Sequence, residues 1–315
     1  MNHTLYLDPS CNDDERRQRL YEGQIFVYSP RPSSLAFCAY ARGLIEEAFA
    51  PLEPRSAQDH MDARRYAEIL GKLKPAFIHH AESKRHVQAV LRETGCNPAK
   101  TYFDVPRMRS STSHGYLTSG IAYAWHPHRD TWYSAPPCQI NWWMPIYDIA
   151  SDNAMAFHPR YFTEPVPNSS AEYNYYEWNQ THRGSHVTGY TKTDPRPLPK
   201  ATRPIELDPQ VRVVIPVGAL LVFSGAQMHS SVPNTSGVTR FSIDFRTVHL
   251  DDVVAMRGAP NLDSRCTGTT MRDYLQAMDL TRVPEAAVSL YDDTTATRGK
   301  LVYEADVPTE DRDQP

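Results

Sequence analysis

The chain has 315 residues, 40% of them hydrophobic and 22% charged, with a formal net charge of -4. This length can bury a sizeable core, and we expect one domain over residues 1–315. The acidic balance, with no local block of Lys and Arg, argues against a nucleic-acid partner. The longest apolar run, Val213 to Phe223, is interrupted by Pro216 and Gly218. It falls short of the roughly 20 residues that a membrane helix needs.

The N-terminal segment lacks the basic start and apolar middle of a secretory signal, so we expect a cytoplasmic protein. The five cysteines are far apart and form no Cys-x-x-Cys pair, which predicts reduced thiols. Cys138 is the cysteine nearest to the candidate site in the chain. A lone cysteine on a strand is more often part of a core than a nucleophile, and we assign it no chemistry.

The first hundred residues carry most of the helical signal. Apolar residues at three-and-four spacing predict helices from Ser34 to Ala50, from His60 to Leu73 and from Glu82 to Thr94, the last of which ends before Gly95. We therefore expect residues 1–100 to be mostly helical.

From Thr101 onward, short β-branched and aromatic runs are bounded by Pro, Gly, Ser and Asn, which is typical of strands. A β-barrel or sandwich with helices packed outside it fits this order of elements. The predicted strands are Thr101 to Met108, Ile121 to Trp125, Gln139 to Ile146, Ala154 to Phe157, Val211 to Ile215, Ala219 to Phe223 and Thr239 to Thr247.

A long polar and aromatic stretch occupies residues 163–210 and includes the run from Tyr173 to Trp178. A connection of this length in a compact domain is usually functional or disordered, and its aromatic content argues against disorder. We interpret it as a lid over the site. An insertion packed outside the barrel or against a second subunit is the alternative, and oligomeric state is not predicted.

The segment between Trp125 and Trp132 is rich in metal-ligating side chains. His126, His128 and Asp130 share one parity, so an extended backbone would project all three to the same side. Two His and one carboxylate leave the opposite positions of a metal ion open, which is typical of non-haem Fe(II) oxygenases. A pair of His126 and His128 would suit a cupin-type site, but the Glu which that pattern requires does not follow. Parity leaves both pairings open, and we favour His128 with Asp130.

The second half of the chain supplies two further candidate residues, a histidine and an arginine. His229 follows an apolar strand and a turn that would deliver one side chain into a barrel mouth. From Arg240 to Arg246, polar and apolar residues alternate, so one face of the strand is apolar and the other is polar and charged. An inward Arg240 is costly without an anion, and its planar fork matches a carboxylate. A local partner such as Asp244 is the ordinary alternative.

With these residues in this order, the chain resembles the Fe(II)/2-oxoglutarate-dependent oxygenases, and most closely their phytanoyl-CoA hydroxylase-like branch. The resemblance covers roughly Tyr102 to Val248. His128-Arg129-Asp130 matches the family's His-x-Asp, and His229 matches its distal His. Arg240 with Ser242 matches an Arg-x-Ser that binds the co-substrate. The segment from Asp152 to Pro159 lacks the Gly and the Ser-His ending of the branch.

The resemblance implies a mainly β fold with flanking helices. Its core would be a double-stranded β-helix (jelly-roll, cupin-like) over residues 101–250, followed by a C-terminal helical segment and tail over 251–315. His128, Asp130 and His229 would hold Fe(II), while Arg240 and Ser242 would hold 2-oxoglutarate. With O2, a small organic molecule of specialised metabolism would be hydroxylated, desaturated or cyclised, releasing succinate and CO2. A carboxylate at Asp130 argues against halogenation.

Further side chains are candidates for the same pocket. Gln139 and Asn141 share one parity, and their amides would suit either the co-substrate or a bond to a metal ligand. For the substrate we predict contacts from Arg107, Trp132, Tyr133 and Tyr176. A cupin-type metal enzyme without 2-oxoglutarate and a non-catalytic ligand-binding barrel are the alternative functions.

Overall fold

The computed structural model describes residues 5–117, 126–181 and 197–292. Its N-terminal part contains, in chain order, β1 (Leu5–Leu7), α1 (Asp13–Tyr21), β2 (Ile25–Tyr28), α2 (Pro32–Phe49), α3 (Ala63–His79) and α4 (Ala81–Glu93). The middle part contains β3 (Thr101–Phe103), β4 (Arg107–Ser111), β5 (Ile140–Pro145), β6 (Met155–Phe157) and α5 (Tyr175–Thr181). The last part contains β7 (Val211–Val213), β8 (Leu220–Ser224), β9 (His229–Ser231), β10 (Arg240–His249), α6 (Leu250–Val254), β11 (Leu275–Gln276) and α7 (Glu285–Val288).

The three predicted helices are confirmed as α2, α3 and α4, although α3 begins at Ala63 rather than His60 and continues past Pro75. Helix α1 was not predicted. Its sequence signal is a capping box in which Asn12 accepts from the backbone of Glu15, while the Glu15 side chain accepts from the backbone of Asn12. Residues 5–100 are mostly helical, as expected, and the two short strands β1 and β2 add to the main sheet.

The strands form two sheets. The large sheet has the order β1-β2-β8-β5-β10-β3-β11, with β4 also paired to β10, and the small sheet has the order β7-β6-β9. Across the described ranges these strands do not form one closed barrel. Five predicted strands are confirmed as β5, β6, β7, β8 and β10, whereas the predicted strand Ile121 to Trp125 lies outside the described residues.

The predicted strand Thr101 to Met108 is in fact two strands, β3 and β4, which pair with successive parts of β10. Pro106 lies in the break, where it has no N–H to donate to the ladder. In place of that ladder, the Asp104 side chain accepts from the backbone N–H of Arg246 at 2.7 Å. The break therefore puts a carboxylate beside the charged face of β10.

Side-chain alternation on the large sheet separates two apolar cores. One face packs on helices α2, α3 and α4 and contributes Phe26, Tyr28, Trp142, Met144, Leu220, Val222, Phe241, Ile243 and Phe245. The opposite face packs on the small sheet, and this second core includes Ile25, Val27, Trp143, Met155, Phe157, Val213, Leu221 and Phe223. The predicted helices therefore cover one face of the large sheet, and the small sheet covers the other.

The C-terminal part is less helical than predicted. In the described residues after β10, α6 has five residues and α7 has four, and β11 adds a strand to the sheet. Residues 293–315, at the end of the predicted C-terminal segment and tail, lie outside the described residues. In the part of the chain that is described, no helix is both long and apolar enough to cross a membrane.

Candidate active site

A cavity of about 350 Å³ lies beside the charged face of β10. Strands of both sheets, helix α3 and the segment around α5 contribute to its walls. Its polar lining residues include Asp104, Arg107, Arg109, His128, Asp130, Gln139, Asn141, Asn179, His229, Arg240, Asp244 and Arg246. Most of the side chains predicted for the site therefore share one cavity.

Two backbone hydrogen bonds bring the predicted histidines together. His128 and His229 form an isolated antiparallel bridge, in which each N–H donates to the other's carbonyl oxygen at 3.0 Å. Their ring centroids lie 4.4 Å apart. Asp130 is fixed next to them because its N–H donates to the carbonyl of Gly225 at 2.9 Å. One ligand atom from each of His128, Asp130 and His229 lies within 4.8 Å of the others, and all three residues are buried.

The hydrogen bonds of the two imidazoles show which ring nitrogens face Asp130. Nδ1 of His128 lies 2.6 Å from the carbonyl oxygen of His126, and Nδ1 of His229 lies 2.9 Å from that of Gln227. A carbonyl oxygen only accepts, so each Nδ1 donates, and in this tautomer the lone pair of the imidazole is on Nε2. These two Nε2 atoms lie 3.5 and 3.9 Å from Oδ1 of Asp130. Three electron-rich atoms facing one another fit a cation held between them.

The two carboxylate oxygens of Asp130 have different neighbours. Oδ2 accepts from Nε2 of Gln139 at 2.9 Å, from Nδ2 of Asn141 at 2.8 Å and from Nε of Arg246 at 3.1 Å. With Oδ2 fully engaged, Oδ1 remains to face the imidazoles. Gly225 allows this close approach, because a Cβ there would lie 3.1 Å from the amide nitrogen of Gln139.

Protonation states in this group suit metal binding. Burial alone would raise the pKa of Asp130, but Arg246 and the two histidines hold it well below the usual range, so the carboxylate is charged. Burial and the neighbouring His128 lower the pKa of His229 to about 4, so that ring is neutral at pH 7. Two neutral imidazoles and one carboxylate are the donor set of a non-haem iron site. The residues present therefore fit Fe(II).

His126, the alternative ligand from sequence parity, is exposed and does not belong to this group. Its contribution is the backbone carbonyl that accepts from His128. The chain is not a regular strand at this point, since a 3-10 turn begins at Asp130. Parity in an extended strand therefore could not decide between the two histidines.

Arg240 is a buried cation that lines the same cavity. Its guanidinium donates to the carbonyls of Asn153 and Ala154 at 3.0 and 3.3 Å and to Oγ of Ser231 at 3.1 Å. Its Nε is buried without a partner, and no described carboxylate lies within ion-pair distance. Burial lowers its pKa to about 10, so it is still charged at pH 7. A buried charge of this kind is suited to an anionic ligand.

Ser242 follows on the same face of β10, fully buried, with no partner for its hydroxyl among the described residues. It does not line the cavity itself. The amides of Gln139 and Asn141 take the second of the two roles open from the sequence, because both donate to Asp130. Contact of these three residues with a co-substrate stays a prediction.

Ion pairs form one wall of the cavity. Arg109 donates to both carboxylate oxygens of Asp244, at 2.6 and 3.2 Å. Asp104 accepts from Arg107 and from Arg246. Arg107, a predicted substrate contact, does line the cavity, but its charge is matched by Asp104.

The structure places two of the predicted substrate contacts away from the cavity. Trp132 is 0% exposed and packs in a small core with Tyr161, Val166 and Met228, and its Nε1 donates to Asp263 at 2.7 Å. Tyr176 is 1% exposed, and its hydroxyl accepts from Arg272. Neither residue lines the cavity.

The neighbours of these two residues line the cavity instead. Tyr133, also a predicted substrate contact, follows Trp132 and lines the cavity. On α5, Tyr175, Trp178 and Asn179 are spaced by three and four residues, so they share the helix face that lines the cavity, and Tyr176 lies off that face. The predicted lid segment therefore contributes walls to the cavity. Its residues 182–196 lie outside the described ranges, and closure over the site remains a prediction.

Some residues of the site were not assigned from the sequence. Arg246 could have been, since it shares the inward parity of Arg240 on β10. Tyr274 had no sequence signal, because it reaches Gln139 from far along the chain and donates to its Oε1 at 2.6 Å. Cys138 is fully buried, in agreement with the prediction that it packs in the core.

No protein-family model matches the chain, and a comparison with curated proteins finds no match. Among solved structures, EvdO2 from Micromonospora carbonacea var. aurantiaca is similar with 10% identity and a TM-score of 0.42, over 76% of this chain and 92% of that chain. EvdO2 is also known complexed with 2-oxoglutarate.

Two further similar structures are non-heme alpha-ketoglutarate-dependent enzymes of nogalamycin biosynthesis. The epimerase SnoN has 16% identity and a TM-score of 0.35, and the carbocyclase SnoK has 12% and 0.37. Each covers 76% of this chain and 85% of its own. At these identities and TM-scores the likeness is coarse, and the function has to follow from the residues of the cavity.

Proposed function

We propose that the chain is an oxygenase that uses Fe(II), 2-oxoglutarate and O2 to oxidise a small organic molecule. The observation that carries this proposal is the convergence of His128, Asp130 and His229 on a cavity that also contains the buried cation Arg240. The two sheets that pack face to face support the double-stranded β-helix as the underlying fold.

In this proposal, Nε2 of each histidine and Oδ1 of Asp130 hold the iron. Arg240, with Ser242 beside it, binds the far carboxylate of 2-oxoglutarate, which would give its unpartnered Nε an acceptor. When bound, the iron and 2-oxoglutarate supply the oxidising chemistry, in which one atom of O2 enters succinate as CO2 leaves and the other enters the substrate as a hydroxyl group. Desaturation and ring closure are the other outcomes of the same oxidation.

The chain's own part is to orient the reactants and to exclude water. The N–H groups on Oδ2 of Asp130 fix the carboxylate, and the backbone carbonyls fix both imidazole rings. Aromatic side chains on and near α5 form part of the cavity wall and would help to exclude water from the reaction. The substrate would enter between this aromatic wall and the ion pairs of β4 and β10.

Succinate released from 2-oxoglutarate tests the proposal. The purified chain with Fe(II), ascorbate and 2-oxoglutarate in air should release succinate above the level of a His229→Ala control, and 2-oxoglutarate should bind only when a metal is present. A chain that binds metal but neither binds nor consumes 2-oxoglutarate would be a cupin-type enzyme without this co-substrate. If it binds no metal, the proposed function is wrong.

A further inference from the structure

A line of aromatic rings leads away from the proposed metal centre. The ring centroid of Tyr133 lies 5.4 Å from that of His128, with the two rings nearly perpendicular. Tyr173 lies 5.6 Å from Tyr133, and Trp178 lies 6.2 Å from Tyr173. Tyr133, Tyr173 and Trp178 all line the cavity. They form an apolar wall, here called the aromatic wall, that is suited to the face of a planar ring.

Asn179 follows Trp178 in the sequence and lies on the face of α5 that lines the cavity. It is 6% exposed, and neither its Nδ2 nor its Oδ1 has a hydrogen-bond partner in the described part of the chain. A buried amide with both groups unsatisfied costs more free energy than its hydrogen bonds would contribute. A ligand that supplies one acceptor and one donor would satisfy both groups of this amide.

The ion pairs along β4 and β10 argue against a charged ligand group beside them. Arg109 is paired with Asp244, and Asp104 is paired with both Arg107 and Arg246. A ligand charge placed there would have to compete with these partners, whereas a neutral polar group would not. Asn179 is itself neutral and presents one donor group and one acceptor.

We propose that Asn179 anchors the molecule oxidised at this site, and that this molecule carries a planar ring with a neutral group that both donates and accepts hydrogen bonds, an amide or a hydroxyl. The ring lies along the aromatic wall, and the neutral group pairs with both the Nδ2 and the Oδ1 of Asn179. The assignment of this molecule as the substrate rests on the proposed function. The anchoring contact itself rests on the cavity.

Three naphthalene probes that differ only in the polar group test the anchor: 2-naphthamide, 2-naphthoate and 2-naphthylmethylamine. Their dissociation constants are measured by naphthalene fluorescence with the full chain, Mn(II) and 2-oxoglutarate. We expect 2-naphthamide to bind about tenfold more tightly than either charged probe, since it alone makes two neutral hydrogen bonds with Asn179. Tighter binding of a charged probe would overturn the proposal.

Variants of α5 locate the preference. Asn179→Leu keeps the size of the side chain and removes both hydrogen bonds, so the amide should lose about tenfold in affinity and the charged probes should change little. Asn179→Asp should reverse the order in favour of the amine. Gln180→Leu, the same type of change at the exposed next position, should leave the order unchanged. An amide preference that survives in Asn179→Leu would overturn the anchor.

Circular dichroism and the thermal midpoint show whether each variant is folded. Mn(II) binding, followed by electron paramagnetic resonance, separates the anchor from the proposed function. If Mn(II) and 2-oxoglutarate bind but Asn179→Leu has no effect on the probes, the anchor is wrong and the oxygenase stands. If the preference depends on Asn179 in a chain that binds no Mn(II), the anchor stands and the oxygenase is wrong.

Discussion

The metal-facing end of the cavity and the end formed by Arg240 differ in how completely their polar groups are satisfied. At the metal end, Oδ2 of Asp130 accepts three hydrogen bonds, and both histidines place Nδ1 on a backbone carbonyl. At the other end, Nε of Arg240 is buried without a partner in the described structure, and so is Oγ of Ser242, which does not line the cavity itself.

This difference suits the different ligands proposed for the two ends, a metal ion and an organic diacid. An ion has a fixed and simple geometry, so the protein can hold its ligands in place in advance. An organic diacid brings its own acceptors, so donors such as Nε of Arg240 stay unmatched until it binds. Substitutions at the two ends should therefore affect metal and co-substrate separately.

The largest effect is expected at the metal ligands. His128→Ala should weaken Mn(II) binding by at least about 100-fold. Removing a residue that hydrogen-bonds to a metal ligand typically lowers metal affinity by about 10- to 100-fold, and this change removes a proposed ligand itself. Mn(II) titration by electron paramagnetic resonance measures it. His126→Ala is the matched control and should bind Mn(II) as the unaltered chain does, since it keeps the backbone carbonyl of residue 126 that accepts from His128. Equal losses in both variants would revive the pairing of His126 with His128.

The next effect tests the Arg240 end. Arg240→Met should weaken 2-oxoglutarate binding by about 10- to 100-fold, since it removes charge-assisted hydrogen bonds to a carboxylate. Mn(II) affinity should stay the same, because Arg240 contacts none of the proposed ligands. Calorimetry of 2-oxoglutarate with the Mn(II)-loaded chain measures the change. Arg212→Met, on the exposed part of β7, is the control, and unaltered affinity in Arg240→Met would exclude the assigned role.

A smaller effect is expected at Arg246, which contacts the metal end only through Asp130. Arg246→Met should weaken Co(II) binding by about tenfold and shift the visible absorption of bound Co(II), because Asp130 loses a donor that orients it. Arg246→Lys keeps the charge and should restore part of the affinity. An unchanged spectrum in Arg246→Met would show that Gln139 and Asn141 suffice to hold the carboxylate.

Much of the site was predictable because its signals are local. His128 and Asp130 are two residues apart, and the alternation along β10 identifies an inward-facing Arg240 from neighbouring positions alone. The five strands β5, β6, β7, β8 and β10 were equally visible as short apolar or alternating runs.

The sequence pattern does not specify in which direction some side chains point. Tyr173, Tyr175 and Tyr176 are the same residue type in one short segment. Only the position of α5 decides that Tyr176 contacts Arg272 while Tyr173 and Tyr175 line the cavity. Trp132 and Tyr133 are likewise adjacent, yet the 3-10 turn sends one into a core and the other to the cavity.

The sequence by itself determined which side chains could bind a metal and an anion, because residue type and parity within one strand are properties of a short segment. The tertiary structure decided which oxygen of Asp130 faces the two imidazoles. Gln139, Asn141 and Arg246 reach Oδ2 because β5 and β10 are paired, with Asn141 opposite Arg246. Strand pairing depends on packing across the whole sheet, so no local pattern specifies that meeting.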